Sequence, residues 1–501
     1  IENILNFKKD YPDYKLYKLE QNYRSTNVIV QAANSIIKNN KNQIEKNVWT
    51  SNPEGKKIKI YKSDSDSGEA KYIANNIYDK NIGEQINFKD CAILYRTNAQ
   101  SRAMEEALRR LNVPYKIFGG QSFYQRKEVK DLLAYFRLAA NHNDEESLKR
   151  VINYPKRGIG KTSIDKAIIQ RAEKNVSLWD VIANPIENGL EISAGAKAKL
   201  NEFVLMIQSF KARLATTEAF NISEAIAKET GILRELYADK TPEGVSRYDN
   251  IQELLNGIQE FTEQSKKQDP DAFPVLNDFL VDVALLTDAD KTDEDPNRVS
   301  MMTIHSAKGL EFPYVFIVGM EENLFPSQMS ISSRADLEEE RRLFYVALTR
   351  AEKEAQLTYA DTRYRWGQLT YCEASRFLEE IDEQFIDKPL EYAAQKFASN
   401  KSSTPNVNTN YKPKPNIKGK GASTFTKKPN LAAPSGIGNK KPLSSAKSTN
   451  PVSGDYLTPQ EVSIGQNVLH QKFGKGKVLH LDGDIPDVMA TIFFPSSGQK
   501  T

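Results

Sequence analysis

Cys91-Ala92-Ile93-Leu94-Tyr95 and Tyr314-Val315-Phe316-Ile317-Val318-Gly319 are short apolar runs of the kind that form buried parallel strands. Working outward, Lys57-Ile58-Lys59-Ile60-Tyr61-Lys62 alternates like a strand with one exposed face. Helical segments lie between these strands. Ser25 or Thr26 can cap a helix through Val28, Ile29, Ala32, Ala33 and Ile36-Ile37, and Ala103 to Leu111 forms another. Strands alternating with helices imply an α/β fold, a parallel sheet covered on both faces. From residue 124 to 290 the strand signals fade and helical periodicity takes over, as in Leu132, Leu133, Tyr135, Phe136 and Leu138. Strands return at Val299. The expected arrangement is an α/β domain in two halves, residues 1–123 and 291–385, interrupted by a helical insertion at 124–290.

A chain of 501 residues is too long for one ordinary core. Its 39% hydrophobic and 27% charged content are those of a soluble globular protein. The first residues carry neither a basic leader nor an initiator Met, and no run approaches the roughly 18 apolar residues of a membrane span. A cytoplasmic protein without membrane partners is expected. Cys91 and Cys372 are far apart and without metal-ligand spacing, and the four histidines are scattered. Neither a disulfide framework nor a metal site is expected.

The net charge of +3 hides an asymmetry. Residues 401–450 hold ten Lys and six Pro but no Asp, Glu or Arg, so +10 here leaves −7 elsewhere. Such a segment cannot bury enough apolar surface to offset its ordering entropy. A basic disordered linker is expected over residues 386–460. It suits either attraction to nucleic-acid phosphates or a solubilising tether. Beyond it, Val462 to Leu479 reads as two short strands around a Gly-rich turn, and Val488 to Phe494 as a third, a small β unit at 461–501.

Two blocks carry a more specific signal. Met301-Met302-Thr303-Ile304-His305-Ser306-Ala307-Lys308-Gly309-Leu310-Glu311-Phe312 is followed by Glu338-Glu339-Glu340-Arg341-Arg342-Leu343-Phe344-Tyr345-Val346-Ala347-Leu348-Thr349-Arg350-Ala351-Glu352. They resemble the fifth and sixth motifs of superfamily 1 DNA helicases of the UvrD/PcrA/Rep type. Leu19-Glu20-Gln21-Asn22-Tyr23-Arg24-Ser25-Thr26 is similar to the fourth. The resemblance covers residues 1–385 and implies a RecA-like domain, 2A, interrupted by a helical domain, 2B. The C-terminal strands are similar to the Tudor-like barrel of PcrA and UvrD, which the family associates with RNA polymerase, and which here looks truncated at Thr501. The family's first RecA-like domain, with its phosphate-binding loop and Mg²⁺ carboxylates, has no counterpart in these residues. The chain is therefore expected to be the C-terminal part of a longer ATP-dependent 3′–5′ DNA helicase, inactive as an ATPase by itself.

Arg157-Gly158-Ile159-Gly160-Lys161-Thr162 contains Gly-Lys-Thr, but Pro155 stands where a phosphate loop needs its first Gly, and no strand feeds it. The better reading is a helix–helix hairpin. Gly158 and Gly160 would let the backbone approach a duplex phosphate while Arg157, Lys161 and Lys156 supply charge. An ordinary turn with exposed lysines is the alternative.

The resemblance also implies site residues. Arg24 and Arg350 would place positive charge at the γ-phosphate of ATP. Tyr23 would stack on adenine, and Glu311 would accept from the ribose hydroxyl. Arg96, Asn98, His305 and Trp366 would line the single-strand track, where phosphate contacts combine with base stacking. Ser327 departs from the family, which has a DNA-contacting His after Phe-Pro. Two other readings remain open at this level. One is a non-catalytic DNA-binding or polymerase-tethering fragment; the other is a RecB/AddA-like helicase–nuclease, which would need an acidic C-terminal metal cluster. Repair and replication roles are not distinguished by these residues.

Overall fold

The structure is a computed structural model describing residues 7, 10–288, 296–365, 367–387, 466–470, 474–482, 489–494 and 498–500. Trp366 and residues 388–460 of the expected linker lie outside the described residues, whereas its first two residues, Ile386–Asp387, are not linker but pair as a strand with the sheet. The chain divides into two compact units, Ile1–Asn406 and Val407–Thr501.

In the first unit, helix α1 (Asn27–Ile37) precedes strand β1 (Ile58–Ser65) and helix α2 (Asp66–Glu84). Strand β2 (Cys91–Tyr95), helix α3 (Ser101–Arg110) and strand β3 (Tyr115–Ile117) follow. After the helical segment come β4 (Val299–Thr303), β5 (Phe312–Ile317), helix α13 (Arg334–Leu348), β6 (Ala351–Arg365), β7 (Gln368–Tyr371), α14 (Arg376–Glu379) and β8 (Ile386–Asp387). The sheet order is β3-β4-β2-β5-β6-β1-β8, parallel throughout, with β7 antiparallel to β6. All five β2 residues are buried, because β4 and β5 flank the strand and helices cover both faces. One face packs against α1 and α13, the other against α2 and α3.

Strands β3 and β4 are neighbours, Tyr115 facing Val299. Between them the described residues form nine α-helices: α4 (Lys127–Ala140), α5 (Glu145–Val151), α6 (Lys161–Lys174), α7 (Leu178–Ala183), α8 (Ala194–Arg213), α9 (Ala219–Glu229), α10 (Ile232–Ala238), α11 (Pro242–Gln268) and α12 (Leu276–Asp288). They enclose a core of their own around Phe136, Phe203, Phe210 and Ile258. Two arginines tie this core to the sheet. Arg102 on α3 donates to Glu253 and Glu260 of α11 at 2.7 and 3.4 Å, and Arg126 donates to Asn250 at 2.8 Å and to Ser101 at 2.7 Å.

Neither expected cap closes α1. Thr26 occupies the N-cap position, but its buried hydroxyl finds no partner, and the Ser25 hydroxyl donates instead to the Ala351 carbonyl at 2.7 Å. Backbone contacts to distant chain anchor the helix start. Thr26 N donates to Glu352 O, Asn27 N to Pro53 O and Val28 N to Glu54 O.

The second unit contains a four-stranded antiparallel sheet, β9 (Asn467–His470), β10 (Gly474–Asp482), β11 (Met489–Phe494) and β12 (Gly498–Lys500), in the order β12-β11-β10-β9. β12 is a strand beyond the three legible in the sequence.

Candidate functional site

Because the sheet is parallel, residues just before its strands gather at one edge and residues just after them at the other. Glu311 precedes β5, Arg350 precedes β6, and these strands are paired, with Phe312 N donating to Arg350 O at 3.0 Å. Arg24 reaches the same edge from the turn before α1. Its Nε donates to Glu311 Oε2, and its Nη1 to Thr349 O at 3.2 Å. Arg350 is braced by its own surroundings. Nε donates to Val346 O and Nη1 to Leu310 O, each at 3.0 Å. Burial and the neighbouring Arg24 guanidinium push the Arg350 pKa below its ordinary value, while Glu311 opposes that shift. Two guanidiniums held side by side with only one carboxylate leave an excess of positive charge, suited to an anion. Tyr23 stands beside them, 75% exposed, with its hydroxyl donating to Gln21 at 2.7 Å.

The opposite edge collects the expected DNA-track residues. Arg96 follows β2 and His305 follows β4, the neighbouring strand. Arg96 makes a side-on pair with Glu340 of α13: Nη2 to Oε1 at 2.7 Å, and Nε to Oε1 and Oε2 at 3.2 and 3.1 Å. Burial and Arg96 push the His305 pKa below 6.5, against a smaller upward pull from Glu340. Asn98 opens the next turn with its side chain exposed, while its carbonyl accepts from Arg126 at 3.0 Å. Ser327 reaches the same cluster through its backbone N, which donates to Glu340 Oε2 at 3.4 Å. Trp366 lies outside the described residues.

Helix α13 links the two edges. Its N-terminal half carries Glu340, and the chain leaves its C-terminus at Thr349 and Arg350. It runs antiparallel to α1, with Glu338 accepting from the backbone of Lys41 and Asn42 at 3.0 and 3.2 Å, and Arg341 joining Asn40 at 2.6 Å to Glu380 at 2.6 and 2.7 Å. Arg24 and Arg350 thus sit at the same end of one clamped helix pair. Glu338, Glu340 and Arg341 had only their place in the long second block to mark them; their partners are too distant in sequence to suggest a role.

The expected hairpin lies between α5 and α6, and no strand precedes it, as the rejection of a phosphate loop requires. Gly158 has φ +74°, a conformation that favours glycine. Gly160 is the N-cap of α6, and Lys161 is exposed. Arg157 departs from expectation. Its guanidinium turns inward, donating to the carbonyls of Val151, Tyr154, Pro155 and Thr230 at 2.9–3.2 Å and lying over the rings of Tyr135 and Phe203. Bonded to these part-buried carbonyls and lying over two rings that favour a cation, Arg157 braces the hairpin from inside and does not present its charge outward. Lys156 and Lys161 remain outside.

Among the described residues no group of three or more His, Cys, Asp or Glu side chains could hold a metal ion, and no helix is long and apolar enough to cross a membrane.

The fold is thus a parallel sheet covered by helices on both faces, with Arg24 and Arg350 at one edge and Arg96, Asn98 and His305 at the other. The chain belongs to the UvrD-like helicase C-terminal domain family, whose model matches residues 17–362. It is 37% identical over its whole length to the ATP-dependent DNA helicase PcrA of Staphylococcus aureus, and 37% identical over 99% of its length to that of Bacillus subtilis. The PcrA of Leuconostoc citreum is 35% identical over the whole chain. The chain spans 62–63% of the length of these relatives. A solved C-terminal domain of a possible DNA helicase from a Lactobacillus aligns with 73% of this chain, and the chain with 98% of that domain, at 10% identity and a TM-score of 0.28.

Proposed function

We propose that this chain supplies the second motor domain, 2A, with its helical 2B insertion, to an ATP-dependent helicase that moves 3′ to 5′ along single-stranded DNA and unwinds duplex. The observation that carries this reading is the convergence of Arg24, Arg350 and Glu311 at one sheet edge, joined by α13 to Arg96 and His305 at the other. In this mechanism ATP is held on a companion domain and its γ-phosphate meets Arg24 and Arg350 as the domains close. The arginines stabilise charge as the terminal phosphoryl group transfers to water. Arg24 must exchange Glu311 for phosphate to do so, which frees the carboxylate for the ribose hydroxyl, and Tyr23 covers the adenine. Mg²⁺ would screen the phosphate charge, but Glu311 beside two arginines is a poor ligand set. No step here is routed through the metal, whose ligands are assigned to the companion domain.

At the opposite edge Arg96, Asn98 and His305 contact the strand, with Trp366 as a stacking platform. The 2B hairpin approaches the duplex through Gly158, Gly160 and Lys161. The half-site implies that this chain alone turns over no ATP. Single-strand-stimulated ATP hydrolysis by the full-length protein tests the reading. DNA-dependent turnover that collapses in Arg350→Ala supports it, and turnover unchanged in that variant overturns it. The four antiparallel strands β9–β12 favour a second, additional reading, a Tudor-like module that docks RNA polymerase. Retention of purified polymerase by residues 461–501 in the full chain, lost on their deletion, would support it.

A further inference from the structure

We propose that Glu340 is a positioning residue for single-stranded DNA, fixing Arg96 so that one edge of its guanidinium is kept for a DNA phosphate; this rests on the functional reading above. The Arg96–Glu340 pair occupies Nε and Nη2 of the arginine in the side-on geometry, and among the described residues no protein partner is recorded for Nη1. Burial is uneven. The Glu340 side chain is 7% exposed and that of Arg96 21%, so the carboxylate lies beneath and the guanidinium faces outward.

A buried carboxylate under a polyanion's path is unfavourable unless it is paired. Here its whole hydrogen-bonding capacity is directed to Arg96 and, weakly, to the Ser327 amide. An unsupported Arg96 would sample many rotamers and lose entropy on meeting a phosphate, whereas the pair has already restricted it. Arg96 is fixed from its backbone too, its N and that of Thr97 donating to Gln100 Oε1 at 2.9 Å.

Position in α13 adds a consequence. Glu340 and Arg350 are ten residues apart along one chain segment, about 15 Å at 1.5 Å per helical residue. A phosphate that pulls on Arg96 therefore acts, through Glu340, on the helix that ends at the ATP-facing arginine.

The test is a double-mutant cycle in the full-length protein, with fluorescence anisotropy of a labelled oligothymidylate read for wild type, Glu340→Gln, Glu340→Ala, Arg96→Ala and the double alanine variant. Glu340→Gln keeps the shape and removes the charge, and is expected to weaken binding about tenfold. If Glu340 acts through Arg96, the double variant binds no worse than Arg96→Ala alone. Independent, additive losses, or wild-type affinity in Glu340→Gln, would overturn the proposal and leave Glu340 a structural residue. Wild-type affinity in Arg96→Ala would instead remove Arg96 from the track, a failure of the underlying reading that this arm identifies separately. Should Glu340→Ala fail to fold, Glu340→Gln in the presence and absence of Arg96→Ala completes the same cycle. Across the same variants, the DNA concentration giving half-maximal ATPase stimulation should rise with the anisotropy Kd.

Discussion

Replacing Arg363 with Met would show how much of the site depends on one buried cation. Arg363, on β6, donates through Nε to both oxygens of Glu321 at 2.7 and 2.9 Å and through Nη2 to Glu69 at 2.7 Å, with Asp66 at 3.6 Å from Nη1. Glu69 and Glu321 are fully buried. Their other hydrogen bonds, from Gly319 N, the Thr358 hydroxyl and Ala360 N at 2.6–2.9 Å, survive the substitution, so the lost quantity is mainly charge compensation. Removing one partner from a buried ion network costs about 3–5 kcal/mol. At roughly 2–4 °C per kcal/mol, the midpoint should fall by about 6–20 °C. Thermal and urea unfolding of the full chain would measure it.

The deficit should also depend on pH. Burial raises the Glu69 pKa and Arg363 opposes the rise, so the variant's carboxylate lies higher still. A carboxylate with a raised folded-state pKa favours the fold below its unfolded pKa, and this advantage is lost as pH rises through the folded one. The variant should therefore be worst near pH 8 and recover part of its loss toward about pH 5. A loss below about 1 kcal/mol at neutral pH would refute the reasoning, since it would mean that the pair is already protonated or hydrated.

Arg350→Lys in the full-length protein should lower DNA-stimulated kcat by about 10³-fold or more while leaving single-strand affinity near wild type, checked by steady-state ATPase and anisotropy. Arg157→Ala should act on stability, costing about 2–4 kcal/mol through the loss of its hydrogen bonds to four carbonyls, two of which (Val151 and Tyr154) keep the Tyr135 hydroxyl, and of its ring contacts. The pair Lys156→Glu and Lys161→Glu should instead keep the melting temperature and weaken duplex-junction binding; equal melting losses would refute the assignment. By NMR, His305 should titrate below 6.5, moving up in Arg96→Ala, as a repelling cation leaves, and down in Glu340→Gln, as a stabilising anion leaves. Because its folded pKa is depressed, His305 should reduce stability as pH falls through about 6.5, where the unfolded chain takes up the proton first.

Strands β2 and β5 were legible because a parallel strand buried on both faces must be apolar throughout, and Cys91–Tyr95 and Phe312–Ile317 nearly are. β6 was not. Ala351–Arg365 carries Glu352, Lys353, Glu354, Asp361 and Arg363, a pattern resembling no buried strand. Its charges are accommodated by distant partners. Lys56 and Lys80 meet Glu354, Lys62 meets Asp361, and Glu69 and Glu321 meet Arg363. The start of α1 was misread for the same reason, since a local cap was sought where backbone from residues 53, 54 and 352 provides the partners.

The site divides along the same line. The sequence by itself determined which residue types are present and where local periodicity makes helices and strands; its motif blocks marked Arg24, His305, Glu311 and Arg350, and the family resemblance added Arg96. Only the tertiary structure decided which cations face outward. A guanidinium offers five donors, and whether they reach a ligand depends on which carbonyls and carboxylates the fold brings to them. Arg157 is turned inward onto four carbonyls, Arg363 onto buried carboxylates, and Arg96 is half-engaged by Glu340. Most of those partners are separated from their arginine by tens to hundreds of residues, beyond the reach of any local pattern.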